Sequence, residues 1–466
     1  MTTRRQFMHS LAGATMLPLL GAQARAATGL TDLYATTRVL DVDGKAATVF
    51  GLQDAQGKSG LRIARQSGFG VRLHNQLAEP SLIHWHGLTP PQRLDGVPGL
   101  SQTPLEPNTS YNYEFPLQRT GTNWMHSHLG GQEQGLLAAP LIITEDDASA
   151  DIQDVVLMLH DFAHRGADQI FFELTGRQIG TMNHAAMGHG TADQAPMDHS
   201  EMMMDLNDVE FDAYLANDRT LNDPEIVSVE AGRKLRLRVI NAAASTNFWL
   251  DIGVLQGVVV AVDGIDVDPI VADLLPIAMA QRIDIIIEIT EPGAFPILAQ
   301  REGDTARTGI ILATQGAQVS RISASASAAS PAVGHQLESA LRASVPLAMR
   351  PADVALTVDL GGTMMGYSWD LTSPAPLVAN LGQRVELRMN NQSMMSHPMH
   401  LHGHHFQVVA LGESRIQGAI RDTVMVPAMG AVTIAFDANN PGAWAFHCHN
   451  LYHQLSGMMT QFEVLA

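Results

Sequence analysis

The single cysteine of this 466-residue chain, Cys448, stands between two histidines, His447 and His449. In an extended strand alternate side chains share a face, so both imidazoles project to one side and the thiolate to the other. Such a segment serves two separate places at once, joined by a short covalent path. The pattern recurs without the cysteine. With 20 histidines in the chain, about one His-x-His pair is expected by chance. Five occur: His84/His86, His126/His128, His400/His402, His402/His404 and His447/His449. One pair alone reads as a zinc site or as surface histidines. Four clusters, with the only cysteine inside the last, read as transition-metal ligands on strands.

Cys448 is followed by His453 and Met458 in H-N-L-Y-H-Q-L-S-G-M. Thiolate, imidazole and weak thioether need one further histidine to make the trigonal His₂Cys set with a long axial methionine, an electron-transfer copper site. His397, which leads the run H-P-M-H-L-H-G-H, is the natural candidate.

The scaffold follows from apolar periodicity. Short runs rich in Val, Ile and Leu lie between Gly, Pro, Asn and Asp turns: Gly70–Asn75, Lys234–Asn241, Arg282–Ile289 and Gln383–Asn390. Three of them end on asparagine after alternating apolar residues, which suggests one β-unit used three times. Helical periods are scarce, so the chain is expected to be all-β, built of sandwiches or barrels. An acidic stretch, Glu145–Ala150, and an Ala/Ser-rich stretch with Pro331 divide it into 27–148, 149–317 and 350–466, with 318–349 as the connection. One cysteine excludes an internal disulfide framework and all-cysteine cages. A net charge of −19 disfavours nucleic acid and anionic membranes as partners and mildly favours cations. No run of 18 apolar residues occurs, which excludes a polytopic membrane protein.

Residues 1–26 are expected to be an export signal. Arg4-Arg5 precede Gln6-Phe7-Met8, an apolar stretch Leu11–Leu20 and Ala24-Arg25-Ala26; this resembles a twin-arginine signal and implies a periplasmic location. An unpaired cysteine retained in an oxidising compartment has a ligand or catalytic task.

The four clusters resemble the copper-binding signatures of the multicopper oxidases, along nearly the whole chain after residue 26. The resemblance implies three consecutive cupredoxin-like domains and four coppers, coupling one-electron oxidations to the four-electron reduction of O₂ to water. It assigns type 1 copper to His397, Cys448, His453 and Met458, and type 2 copper to His84 and His400. It assigns the type 3 pair to His86, His126, His128, His402, His447 and His449. Two sets from the first domain and two from the last imply a trinuclear cluster clamped between them. Asp95, in L-D-G-V-P, matches the family's acidic position beside that cluster and is expected to relay protons. Many bacterial relatives carry a second relay Glu after the equivalent of His453; this chain has Gln454, which cannot titrate.

His404 and His405 are read as structural, and His74, His160 and His164 as satisfied or surface histidines. Residues 182–204 hold Met182, His184, Met187, His189, Met197, His199, Met202, Met203 and Met204 amid Gly, Asp and Pro. Thioethers bind Cu(I) well, so this insertion is an expected substrate site; the pairs Met364-Met365 and Met394-Met395 either hand Cu(I) to the type 1 centre or simply pack beside it. Asn390-Asn391-Gln392-Ser393 before His397 offers a cationic substrate no carboxylate. The leading expectation is a monomeric periplasmic cuprous oxidase. A laccase-like oxidase of phenols and aromatic amines is the alternative, and a copper-sequestering protein is a third reading.

Overall fold

The computed structural model describes residues 29–145, 152–179 and 206–466. The twin-arginine segment and the insertion at 182–204 lie outside the described residues.

Among the described residues the strands form six sheets, two in each third of the chain. Each third repeats one device. In the first, strand Phe69–Asn75 lies parallel to Thr31–Val42 and antiparallel to Ser110–Phe115. In the second, Lys234–Asn241 lies parallel to Gln153–Phe162 and antiparallel to Arg282–Glu288. In the third, Arg384–Asn391 lies parallel to Val354–Thr363 and antiparallel to Ala431–Asp437. The terminal asparagine makes the same buried corner every time. Its Oδ1 accepts from the backbone N–H two residues on: Leu77 at 3.0 Å, Ala243 at 3.1 Å and Ser393 at 2.9 Å. Its Nδ2 donates to Glu79, Thr246 or Met395 carbonyl oxygens and to a segment distant in sequence at Leu105, Ile277 or Val426. An amide side chain is the shortest group with a donor and an acceptor to satisfy both sides of such a turn. In the third unit this asparagine is Asn391, one residue later than alternation suggests; Asn390 faces Asp359 instead.

Each unit buries its own core. Leu33, Phe69, Val71 and Leu141 belong to the first, Leu237, Val239, Ile285 and Leu312 to the middle one, and Val385, Leu387, Ile434 and Phe462 to the last. The connection through 318–349 packs along the middle unit. Leu341 is fully buried there, and Trp249 Nε1 donates to Pro331 O at 2.8 Å. No helix among the described residues is long and apolar enough to cross a membrane.

Candidate metal centre

Strand pairing sets the histidines opposite one another. In the first unit His84, on Ile83–His84, is the register partner of His126 on Gly121–Ser127. In the last, His400, on His397–Leu401, is the partner of His447 on Gly442–Cys448. Alternation carries His86, His128, His402 and His449 to the same face of each ladder, and the two faces meet. His86 and His400 rings stack at 3.8 Å, and His84 and His402 lie 3.9 Å apart, both across the boundary between units.

Eight rings thereby enclose one buried space. Their donor atoms fall into the groups His84/His86/His400, His86/His126/His449 and His128/His402/His447, each within 4.8 Å. Oxygen acceptors fix the outward nitrogens: Asp95 O for His84 Nδ1, Asp95 Oδ2 for His402 Nδ1, Asp422 O for His400 Nδ1 and Cys448 O for His447 Nδ1, at 2.8–2.9 Å. The inward nitrogens His84 Nε2, His86 Nδ1, His126 Nε2, His400 Nε2 and His449 Nε2 are buried with no hydrogen-bond partner. Burial, then the neighbouring histidines, hold His86, His128, His400 and His402 well below the ordinary imidazole pKa. Neutral rings with unused, converging lone pairs are what bound transition metals need. The donor set therefore fits copper.

Cys448 turns the other way, into the core of the last unit. Its Sγ lies 3.7 Å from both His397 Nδ1 and His453 Nδ1, which are 3.1 Å apart. Met458 is fully buried in the same core, and its carbonyl accepts from Cys448 N–H at 3.1 Å. The asparagine corner reaches this place too. Ser393 Oγ lies 2.7 Å from His397 Nε2 and donates to Asn391 Oδ1. His453 sits in the short helix Leu451–Leu455, capped by Asn450.

Several of these groups have no signal in local sequence. Asp208, from the middle unit, places Oδ2 2.8 Å from His453 Nε2 and accepts from Tyr367 OH and Asn450 Nδ2. Glu133 is buried with Oε2 2.8 Å from His126 Nδ1, and burial pushes its carboxyl well above the usual range. Gln454 is turned instead toward Met459. The only hint of Glu133 is a charge set in the Gly/Leu-rich run after His128.

Of the remaining expected groups, Met395 is buried in the core of the last unit, whereas Met365 is 80% exposed. His404 is buried against Phe436 and Trp444, and burial lowers its pKa to about 4. His405 donates to Gly87 O, and His160 is buried within the middle unit. His74, on strand Phe69–Asn75, lies between Asp32 and Ser110 of the two flanking strands.

Known proteins share this layout. Sequence profiles described as multicopper oxidase match residues 35–148, 153–321 and 349–466. The chain is 31% identical over 406 residues to the multicopper oxidase MmcO of Mycobacterium tuberculosis, spanning 85% of this chain and 79% of that protein. It is 26% identical to a copper resistance protein A homolog of Pseudomonas syringae pv. tomato, over 99% of both chains. The crystal structure of a laccase from Botrytis aclada superposes with a TM-score of 0.73 at 23% identity, covering 93% of this chain and 87% of that one.

Proposed function

From the premise that this chain belongs to the multicopper oxidase family, an O₂-reducing class of copper oxidoreductases made of cupredoxin-like domains, we propose that it oxidises Cu(I) to Cu(II) in the periplasm. Four coppers are assigned: type 1 to His397, Cys448, His453 and Met458, type 2 to His84 and His400, and the type 3 pair to the other six cluster histidines. Bound copper supplies one-electron oxidation at the cysteine site and four-electron reduction of O₂ at the histidine cluster. The protein's own share is geometry. Cys448 faces one site while its neighbours His447 and His449 face the other, so the sites are joined through two adjacent peptide units. Burial keeps bulk water from both. Asp95 and Glu133, the carboxyl groups touching His402 and His126, deliver the protons that O₂ reduction consumes.

The observation that favours Cu(I) as substrate is the buried Asp208 carboxylate beside His453, together with two exposed methionines on the hairpin packed against the same ring. Asp208 Oδ2 lies 2.8 Å from His453 Nε2. Tyr367 and Trp369 pack their rings 5.8 Å and 4.1 Å from the same imidazole. They lie on the hairpin that exposes Met364 and Met365. A carboxylate attracts a cation and soft sulfurs select the cuprous ion; the Met/His insertion at 182–204 adds donors by sequence. The deciding experiment is steady-state O₂ uptake with chelated Cu(I) and with a phenol, on the full chain and on a 182–204 deletion. Cu(I) turnover should fall on deletion. If it persists while phenol turnover rises, the protein is a laccase-like oxidase. For the location, replacing Arg4 and Arg5 by Lys should trap the protein in the cytoplasm; unchanged export sinks the twin-arginine assignment.

A further inference from the structure

The middle domain contributes no histidine to the cluster, yet it sends one fully buried cation, Arg282, to the edge of it. The link is Asp422, in the last domain. Its Oδ1 accepts from His86 Nε2 of the first domain at 3.0 Å, and its backbone carbonyl accepts from His400 Nδ1 at 2.8 Å. One residue thus sets the orientation of two stacked rings that come from different domains. With Nε2–H of His86 on the carboxylate, Nδ1 is the nitrogen left to face the cluster, and it has no other partner.

Asp422 is itself gripped by a bidentate fork. Arg282 Nη1 donates to Oδ1 at 2.7 Å and Nη2 to Oδ2 at 2.5 Å. A carboxylate bound in this way has one orientation, whereas a single donor leaves it free to rotate. The guanidinium cannot shift either. Nε donates to Thr122 O of the first domain and Nη1 to Ala280 O of the middle one. Gly87, next to His86, leaves it room: at φ +96°, a Cβ there would stand 2.6 Å from Nη2 and 2.3 Å from Asn123 Oδ1. Asp263 accepts from the Arg282 backbone N–H and binds Arg421, which also reaches Glu338 on the interdomain connection. Three domains therefore meet at the Asp422 carboxylate, and the connection joins the same network through Arg421 and Asp263.

A buried ion network is a poor device for stability alone, because desolvation consumes most of the attraction and apolar packing serves as well. A permanent cation beside a site built for metal cations is unfavourable unless a carboxylate must be held there. We infer that Arg282 is a positioning residue for the histidine cluster, acting through Asp422 on His86 and His400, and that the middle domain thereby governs copper loading at a site to which it gives no ligand. This rests on the copper assignment made above.

The test measures bound copper per chain together with the thiolate-to-copper absorption of the Cys448 site. Wild type should show that absorption and a filled cluster; if neither appears, the copper assignment itself fails. Arg282→Gln, which removes the fork, should keep the Cys448 absorption and weaken cluster copper binding 10–100-fold. Arg282→Lys, with charge but no fork, should fall between. Asp422→Asn, which keeps an acceptor for His86 but loses the charged grip, should act like Arg282→Gln and serves if that variant does not fold. Wild-type cluster loading in the folded variants overturns the inference. So does parallel loss of both sites in all three, since a purely structural role would not spare the Cys448 site.

Discussion

At Cys448 a strand's alternation becomes a division of labour, and this much is plain from the sequence because it needs only neighbouring residues. The groups that touch the ligands are another matter. His86 meets Asp422 across 336 positions, and Asp208 reaches His453 from the middle domain. Neither carboxylate differs locally from an ordinary turn aspartate. Glu133 gives a first prediction at this scale. Glu133→Gln keeps an acceptor for His126 but removes the carboxyl proton donor, so O₂-linked turnover should drop about 10–100-fold at unchanged copper content. Equal turnover would assign Glu133 to holding the ring alone. Glu302, in the middle domain, gives a second. It is buried with its oxygens on Asn247 Nδ2 and Val333 N, and burial raises its pKa to about 7. Between about 4.5 and 7 the folded state keeps this proton while the unfolded chain releases it, so stability is present at low pH and declines as pH rises through that window, by at most about 3 kcal/mol. Thermal melts of Glu302→Gln should lose this slope; a parallel slope in the variant would place its origin elsewhere.

Among the elements, the strand that ends on asparagine shows where periodicity succeeds and where it slips. Alternating apolar residues locate it in each domain, and Lys234–Asn241 keeps its expected bounds. The third copy is displaced by one residue because the corner, not the alternation, decides which asparagine turns inward. Asn391 is the one that anchors Ser393 and through it His397, so a fold element became part of a metal site. Removing the amide strands buried backbone groups on both sides of the turn. Asn241→Ala, in the domain that gives none of the proposed ligands, should cost about 2–4 kcal/mol in denaturant unfolding with the Cys448-site absorption unaffected. A loss under 0.5 kcal/mol would show that the corner merely accompanies the turn. Asn391→Ala should in addition weaken or shift the Cys448-site absorption, and Asn241→Ala should not.

For the whole molecule, the histidine ligands proposed for the cluster come from the first and last domains, so metal cross-links the two. Binding to the folded state alone stabilises by RT ln(1 + [L]/Kd), about 4 kcal/mol at a thousandfold excess over Kd. Stripping copper with a strong chelator should therefore lower the melting temperature and increase proteolysis at the boundary between first and last domains. An unchanged melt would mean that protein contacts, among them the Arg282–Asp422 fork and the Asn440 Nδ2 bond to Pro90 O, hold the domains closed without metal. Domain order was readable from the repeated strands, but not this junction, whose partners lie on three separate stretches of chain. The separation of His84 from His449 has a consequence in time. During synthesis, the half-cluster made first must wait for nearly the entire chain before its partner exists, whereas the ligands proposed for the cysteine site all lie within residues 397–458. A ribosome-bound fragment can therefore hold histidine pairs but no complete O₂-reducing centre. The polypeptide becomes capable of handling oxygen once, abruptly, when its last strands pair.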